Sequence, residues 1–222
     1  MNGLYIIPAR GGSKGISRKN IKPLNGKPLI CYSIDVARVL AKDEDICVST
    51  EDDEIKQVVE DYGLSVPFKR PQELASDEAG TYEVLLHAIN HYEKEGKKYD
   101  VIVLLQPTSP LRTIKDVQEA ISLFNMNLDM VVSVRESHAA AVICHENESG
   151  YLELTLSKNS SRRQDIKKFY EYNGAIYIIN VETLKKKHLR EFKKIKKYVM
   201  PAEYSIDIDT ELDWIMAEII QK

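Results

Sequence analysis

Short, continuously apolar runs alternate along this chain with longer segments in which apolar residues recur at three- and four-residue intervals. The apolar runs are Leu4 to Ile7, Ile46 to Ser49, Val101 to Leu105, Met130 to Val134 and Ala175 to Ile179. The amphipathic segments are Pro28 to Leu40, Asp52 to Tyr62, Thr81 to Tyr92 and Lys115 to Phe124. Runs of the first kind are typical of buried parallel strands. The alternation therefore predicts an α/β fold with a doubly wound, mostly parallel sheet.

The alternation stops between about His138 and Tyr172, where charged and small residues replace it, and resumes at Asn173. We therefore expect a single domain, residues 1–222, with an inserted subdomain at about 138–172. That segment could form a hairpin that covers a site as a lid, or it could pair with another subunit in a dimer. The sequence leaves both uses open.

The first apolar run leads into a loop that combines small residues with cations. Its small residues are Gly11, Gly12, Ser13 and Gly15, and its cations are Arg10, Lys14, Arg18 and Lys19. Glycine lets backbone N–H groups approach an anion, and the cations neutralise its charge, so the loop predicts a polyphosphate site. Neither a P-loop nor a G-x-G-x-x-G motif is present, which disfavours a kinase or a dinucleotide enzyme. The alternative is an ordinary turn with a solvated basic rim.

A second loop, Gln106 to Arg112, follows the most apolar run and offers an amide, two hydroxyls and a guanidinium. Ligands of doubly wound sheets bind at the carboxyl ends of the strands, where this loop and the first loop would both emerge. We therefore expect Gln106 to contact a substrate. Arg112 has two equal interpretations, a substrate contact or a tie between the loop and a neighbouring carboxylate.

Asp207 and Asp209 are alternate residues of a segment predicted to be extended, which places both carboxylates on one side. Mg²⁺ is usually held by one or two carboxylates together with substrate phosphates, so this pair predicts a magnesium site. The alternative for Asp209 is that it caps a C-terminal helix beginning near Glu211.

Charge and composition narrow the function classes. The net charge of −3 lacks the basic field of a general nucleic-acid binder, so the cations of the first loop should serve a small anion. Cys31, Cys47 and Cys144 are widely spaced in apolar surroundings, which indicates reduced packing thiols and a cytoplasmic location. No leader pattern or membrane-spanning run is visible, so no membrane partner is expected.

A basic run from Lys185 to Lys197 interleaves cations with apolar residues. We interpret it as a helix with a solvated face; a patch for nucleic acid or an acidic partner is the less favoured alternative.

The ordered motifs resemble those of the acylneuraminate cytidylyltransferases, or CMP-sialic acid synthetases, which join a nine-carbon 2-keto sugar acid to CMP. The resemblance runs nearly end to end. Its parts are Ile7 to Gly15 with Lys19-Asn20, Arg70-Pro71 with Leu74 to Asp77, Leu104 to Arg112, Arg163-Gln164, Asn173 to Tyr177, and Ile206 to Asp209.

This resemblance implies a Rossmann-like nucleotidyltransferase that uses CTP and Mg²⁺, and a role for each matching residue. Arg10, Ser13, Lys14 and Lys19 would hold the triphosphate. Asn20 and the backbone near Gly11 and Gly12 would contact the nucleoside, with Arg70, Ser76 and Asp77 lining the cytidine side. Gln106 and Tyr177 would meet the sugar, Arg163 its carboxylate, and Asp207 with Asp209 the metal. A homodimer is also implied, in which Arg163 could come from the partner subunit.

In the reaction that the resemblance implies, the anomeric hydroxyl of the sugar attacks the α-phosphorus of CTP and pyrophosphate leaves. Arg10, Lys14, Lys19 and Asp209 are the expected catalytic residues. The segment Ser137 to Val142 departs from the family pattern near the acyl sugar, so legionaminic acid or another nonulosonate rivals N-acetylneuraminate. The alternatives from other classes are a nucleotide-binding sensor without catalysis and a glycosyltransferase that consumes a nucleotide sugar.

Overall fold

The fold was obtained as a computed structural model, which describes residues 1–13, 15–76, 80–137, 143–146, 148–154 and 168–221. The strands are β1 (Gly3–Pro8), β2 (Pro23–Leu24), β3 (Lys27–Pro28), β4 (Ile46–Ser49), β5 (Val101–Leu104), β6 (Met130–Ser137), β7 (Cys144–Glu146), β8 (Leu152–Leu154), β9 (Phe169–Asn180) and β10 (Ile195–Val199). The helices are α1 (Leu29–Leu40), α2 (Asp53–Asp61), α3 (Thr81–Lys94), α4 (Ile114–Ser122), α5 (Val181–Lys186) and α6 (Glu211–Ile220).

Six strands form one sheet in the order β10-β6-β9-β5-β1-β4. The pairs β1–β4, β1–β5 and β10–β6 are parallel. Apolar clusters cover both faces: one packs Ile30, Ile34 and Val59 against the sheet, and the other packs Leu85 and Ile89 against it. The predicted doubly wound α/β architecture is confirmed.

The orientation of β9 differs from the prediction. Ala175 to Ile179 was expected to be a parallel strand, but β9 is antiparallel to both β5 and β6. A parallel return needs a crossover, usually a helix, that carries the chain back across the sheet. The described residues between β6 and β9 contain instead an antiparallel hairpin, β7 with β8. The chain therefore re-enters the sheet beside the carboxyl end of β6, where Phe169 pairs with Ser137.

This hairpin lies within the predicted inserted segment and matches the hairpin form expected for part of it. Residues 138–142, 147 and 155–167 of that segment lie outside the described residues, and residues 169–172, predicted to be part of the insertion, already belong to β9. Its use as a lid or as a dimer contact remains a prediction.

The basic run from Lys185 to Lys197 is not one helix. Helix α5 ends at Lys186, a short 3₁₀ helix covers Leu189–Glu191, and β10 then forms an edge of the sheet. The Asp129 carboxylate accepts hydrogen bonds from the backbone N–H groups of Lys193 and Lys194 at 2.8 and 2.9 Å, which turns the chain into β10. Exposed lysines on an edge strand discourage pairing with another sheet, which explains their density here.

Cys31 and Cys47 are free and buried, as expected for packing thiols. The side chain of Cys144 lies outside the described residues. Within the described part of the chain, no helix combines the length and the apolar character needed to cross a membrane.

Candidate active site

A cleft of about 640 Å³ opens at the carboxyl ends of β1 and β5. Its lining comes from four segments far apart in sequence, which are the first loop, residues 70–76, the loop after β5 and the segment before α6, together with the start of α3. The lining residues are Pro8, Arg10, Ser13, Gly15, Lys19, Asn20, Arg70, Leu74, Ser76, Gly80, Thr81, Val84, Gln106, Pro107, Thr108, Asp207 and Asp209. Most of the predicted site residues within the described part of the chain therefore share one cavity.

Hydrogen bonds within the first loop fix its shape at the end of β1. The buried Asn20 donates through Nδ2 to the carbonyl oxygen of Arg10 at 2.9 Å. Arg18 adopts a left-handed backbone (φ 54°) just before the 3₁₀ helix Lys19–Ile21. The side-chain amide of Asn20, expected to contact a nucleoside, therefore makes one hydrogen bond within the loop, while the residue also lines the cleft.

Arg18 faces away from the cleft. Its guanidinium contacts Asp52 at 2.6 and 2.8 Å and also pairs with Glu54. The hydrogen bond from Arg18 lowers the pKa of Asp52 to about 2. Gly11 packs so closely on this pair that a Cβ there would overlap the Asp52 carboxylate. The loop is therefore anchored to the start of α2 by an ion pair.

Glu51 holds the first loop from the other side. Its carboxylate accepts from the Gly11 N–H at 2.8 Å and from Nη2 of Arg70 at 2.5 Å. Both side chains are almost fully buried, with 8% exposure for Glu51 and 4% for Arg70. The Gly11 amide, expected to serve a nucleoside, is occupied by this carboxylate.

Lys19 connects the first loop to the segment before α6. Its Nζ donates to the carbonyl oxygen of Ile208 at 2.5 Å and to Oδ1 of Asp209 at 2.8 Å. Gly15 lies against the same segment, because a Cβ at this position would overlap the carbonyl oxygen of Asp209. The first loop and the segment before α6 are therefore in direct contact.

Asp209 does not cap helix α6. Thr210 is the N-cap, and its hydroxyl with the Asp213 carboxylate completes a capping box. The capping alternative for Asp209 is therefore wrong, and its carboxylate, exposed by 76%, is directed into the cleft beside Lys19.

Gln106 and Asp207 meet over Gly174. A Cβ on Gly174, which has φ +73°, would lie 2.9 Å from Oε1 of Gln106 and 3.1 Å from Oδ2 of Asp207. Desolvation is the largest effect on Asp207 and raises its pKa, while a hydrogen bond from Thr108 lowers it and the charge of Asp209 raises it. Only glycine gives both side chains room at this backbone conformation.

Asn173 braces this part of the cleft from beneath. Its side chain is buried and accepts from Ser133 Oγ at 2.6 Å while donating to Ser205 Oγ at 2.9 Å. Its carbonyl oxygen accepts from Ser109 Oγ at 3.3 Å. One amide residue thereby links β6, the loop after β5 and the segment that carries Asp207.

Arg112 is structural. It is buried and donates to the carbonyl oxygens of Gln106 and Ser109, both at 2.7 Å, and to the hydroxyl of Ser33. Burial lowers its pKa, and the charge of Asp207 partly offsets that effect. Of the two interpretations, the tie within the loop is the observed one, although its partners among the described residues are carbonyl and hydroxyl oxygens and no carboxylate.

Several predicted residues stand apart from the cleft. Tyr177 does not line it; the residue lies within β9 beside Leu104, where burial raises the pKa of its hydroxyl to about 12. Gly12 is exposed and also outside the lining. Lys14, Asp77 and Arg163 lie outside the described residues.

Sequence reasoning missed Glu51 and the bracing role of Asn173. Glu51 follows the strand Ile46 to Ser49, so it lies at the same carboxyl ends of parallel strands as the first loop. Its position after a predicted strand could therefore have identified it as a candidate site residue. The role of Asn173 depends on Ser133 and Ser205, distant in sequence, and no local pattern announces it.

The comparisons with known proteins agree on one group. A family model described as "Cytidylyltransferase" matches residues 4–221. The chain is 35% identical to the N-acylneuraminate cytidylyltransferase of Streptococcus agalactiae serotype V over 97% of its own length and 52% of that protein. It therefore spans about half the length of this relative.

Other relatives match over nearly their whole length. The pseudaminic acid cytidylyltransferase of Campylobacter jejuni serotype O:2 is 32% identical and is covered to 97%. The CMP-N,N'-diacetyllegionaminic acid synthase of Legionella pneumophila is 30% identical and is covered to 94%, with 97% of this chain aligned. A solved CMP:2-keto-3-deoxy-manno-octonic acid synthetase complexed with CTP superposes with a TM-score of 0.71 over 100% of this chain and 99% of that one. At 18% identity, that superposition supports the fold alone.

Proposed function

The chain belongs to the cytidylyltransferase family, and we propose that it transfers CMP from CTP to a nine-carbon 2-keto sugar acid with release of pyrophosphate. One observation carries the proposal: the cation-bearing first loop and the carboxylates of Asp207 and Asp209 line the same cleft, where Lys19 contacts Asp209. A cleft with cations on one side and two carboxylates on the other suits a metal-bound triphosphate.

The nucleotide occupies the half of the cleft nearest β1. Arg10, Ser13 and Lys19 hold the phosphates, together with Lys14, while Asn20 and the Gly11-Gly12 turn shape the loop for them. The base lies toward Leu74 and Val84, which supply an apolar wall for its ring. Arg70 and Ser76 border this wall, and Asp77 is proposed to contact the cytidine as well.

The donor set fits a divalent cation. Asp207 and Asp209 are close enough that the charge of Asp209 raises the pKa of Asp207, so a cation between them would relieve their repulsion. We assign Mg²⁺ to this pair, since Mg²⁺ prefers oxygen ligands and is commonly completed by substrate phosphates. When bound, the ion neutralises the charge that develops on the triphosphate.

The reaction is an in-line displacement at the α-phosphorus. The anomeric oxygen of the sugar forms the new P–O bond and its proton leaves, while the bond from the α-phosphorus to the α–β bridging oxygen breaks and pyrophosphate departs. Positioning and charge neutralisation carry phosphoryl transfer of this kind. Arg10, Lys14 and Lys19 supply the protein's charge, and Asp209 orients Lys19 as well as holding the metal.

The sugar binds on the Gln106 side of the cleft. Gly174 leaves space there for the amide of Gln106 beside Asp207. Arg163 binds the carboxylate of the sugar, and Tyr177 supports this side from β9. The relatives named above act on different nonulosonates, and this chain uses one sugar of that class.

We place the reaction in the cytoplasm, where the buried free thiols of Cys31 and Cys47 stay reduced. We propose that the protein acts as a homodimer; the segment at about 138–172 is either its subunit contact or a lid over the site. Light scattering after size-exclusion chromatography measures this directly: a mass of twice 25.4 kDa is expected, and a mass of 25.4 kDa contradicts the dimer.

Pyrophosphate release tests the function. The protein is incubated with CTP and Mg²⁺ and with N-acetylneuraminate, a legionaminic acid or pseudaminic acid supplied separately; ATP, GTP and UTP replace CTP in control reactions. Release only with CTP, and only with one sugar, is expected and names the substrate. CTP binding without release for any of these sugars indicates the sensor, and release of CMP from a CMP-sugar indicates the glycosyltransferase.

A further inference from the structure

A buried carboxylate lies close to the proposed polyphosphate site, where a negative charge is unfavourable. Glu51, only 8% exposed, lies behind the first loop with one oxygen on the Gly11 N–H and the other on Arg70. Negative charge beside bound phosphates weakens their binding unless it has a partner. The partner is Arg70, which is itself a residue of the cleft lining.

Backbone pairing fixes this arrangement. Thr50 forms a parallel bridge with Lys69, and its carbonyl oxygen accepts from the Arg70 N–H at 2.8 Å. The segment that carries Arg70 therefore runs alongside the residues that follow β4. The Nη2 of Arg70 points back to Glu51 and to the carbonyl oxygen of Ala9 at 3.5 Å.

The Arg70 guanidinium has a buried donor, Nε, that makes no hydrogen bond to the described residues. A buried donor without a partner is costly, and Arg70 lines the cleft, so we expect a ligand bound there to supply the acceptor. Because the charge of Arg70 is already balanced by Glu51, that acceptor need not be anionic.

We propose that Glu51 is a positioning and specificity residue for the side of the cleft that carries Arg70. Because Glu51 balances the charge of Arg70, this side binds a neutral acceptor, the nucleobase, in preference to phosphate. This inference rests on the proposed function. By neutralising Arg70, Glu51 leaves the first loop as the one strongly cationic side of the cleft among the residues that the structure describes. The triphosphate then has one place to bind, and the base is left to the Arg70 side.

Two ligands separate this role from a general effect on folding. The dissociation constants of CTP and of inorganic tripolyphosphate are measured by calorimetry, without sugar, for the wild type and for Glu51→Gln. Glutamine keeps the volume and one acceptor but frees the charge of Arg70. We expect CTP affinity to fall about tenfold, or about 1.4 kcal/mol, and tripolyphosphate affinity to stay or rise, because the freed charge of Arg70 favours phosphate.

Two further variants complete the experiment. Glu54→Gln removes an exposed partner of Arg18, at 65% exposure, and should leave both affinities at wild-type values. Arg70→Gln combined with Glu51→Gln restores a neutral pair, so tripolyphosphate affinity should return to the wild-type value while CTP affinity stays low. Melting temperatures check that each variant is folded, and the double variant still tests the idea if the single variant is not.

Each other outcome overturns the inference. Equal losses for both ligands indicate loosened packing, and unchanged affinities mean that Glu51 has no role in selection. Tighter binding of both ligands would mean that Glu51 competes with phosphate for the loop and has no role in selecting the base. A wild type that binds no CTP contradicts the proposed function itself, a result separate from these.

Discussion

The ion pair between Lys19 and Asp209 joins a nearly buried cation to an exposed carboxylate, with 10% and 76% exposure of the two side chains. An exposed carboxylate contributes little to stability, so its value here lies in the cleft. For Asp209→Asn we expect kcat/KM for pyrophosphate release to fall by about 10²- to 10³-fold, the cost of losing one preorganised charged group. The melting temperature should change little.

The matched control for that variant is Glu211→Gln. Glu211 lies two residues away, is 65% exposed and pairs with Lys22 outside the cleft. Wild-type kcat/KM is expected there. Equal activity of Asp209→Asn and Glu211→Gln would remove Asp209 from the mechanism.

Gly15 offers a second test at the residue scale. In Gly15→Ala the new Cβ overlaps the carbonyl oxygen of Asp209, so the loop or the segment before α6 must shift. We expect at least a tenfold loss of kcat/KM and a destabilisation of about 1–3 kcal/mol, measured by urea unfolding. Gly12→Ala is the control, because no atom of the described residues lies within 4 Å of a Cβ there. Similar behaviour of the two variants would mean that the close approach has no functional weight.

The ion pair of Arg18 with Asp52 predicts a pH effect. The hydrogen bond from Arg18 lowers the pKa of Asp52 to about 2 from an ordinary value of 3.8. A lowered carboxyl pKa stabilises the fold above the unfolded value, and this stability is lost as pH falls toward 2. The free energy of unfolding should therefore drop more steeply from pH 4 to pH 2 in the wild type than in Asp52→Asn. Asparagine keeps the N-cap of α2, so parallel curves would contradict the pairing.

For single residues, the sequence predicted the chemical type of the site side chains better than their hydrogen-bond partners. Lys19, Gln106 and Asp209 all line the cleft. Lys19 and Asp209 could be identified by their charge, and Gln106 by its position after a strand. The partners of Glu51 and Asn173 lie in other segments, so their hydrogen bonds depend on tertiary packing. Arg112 shows the same limit, since its chemistry allowed a substrate contact until burial decided the matter.

Among the elements, boundaries followed local chemistry and strand direction did not. Helix α1 was predicted over Pro28 to Leu40 and observed over Leu29–Leu40, because its apolar spacing is periodic. The direction of β9 is set by the connection from β6, and the apolar content of Ala175 to Ile179 is the same for either direction. β10 was hidden in a lysine-rich run whose exposed side chains suit an edge strand as well as a helix.

The capping box of α4 gives a prediction for an element. The Thr113 hydroxyl accepts from the Asp116 N–H, and the Asp116 carboxylate accepts from the Thr113 N–H. Thr113→Ala should lower the free energy of unfolding by about 1 kcal/mol, measured with urea. Pyrophosphate release at 25 °C should stay at the wild-type rate, because Thr113 does not line the cleft. Ser122→Ala, at the exposed end of the same helix, should change neither quantity; a loss as large as that of Thr113→Ala would contradict the capping account.

For the whole molecule, the buried thiols report opening of the core. Cys31 and Cys47 have no exposed surface, and burial raises the pKa of both, for Cys31 to about 11. In a Cys144→Ser background, a thiol reagent at pH 8 should modify neither residue in the native state and both in urea. The modification rate under native conditions should follow the global unfolding rate. Fast labelling at pH 8 without urea would show that the sheet opens locally.

The contact between Lys19 and Asp209 spans 190 residues of sequence. A ribosome that adds roughly 5–20 residues per second makes these two side chains about 10–40 s apart. Throughout that interval the nascent chain carries a cationic first loop without the segment that meets it. Binding of a polyanion can therefore begin before chemistry is possible, and competence is acquired only once Asp209 has been synthesised.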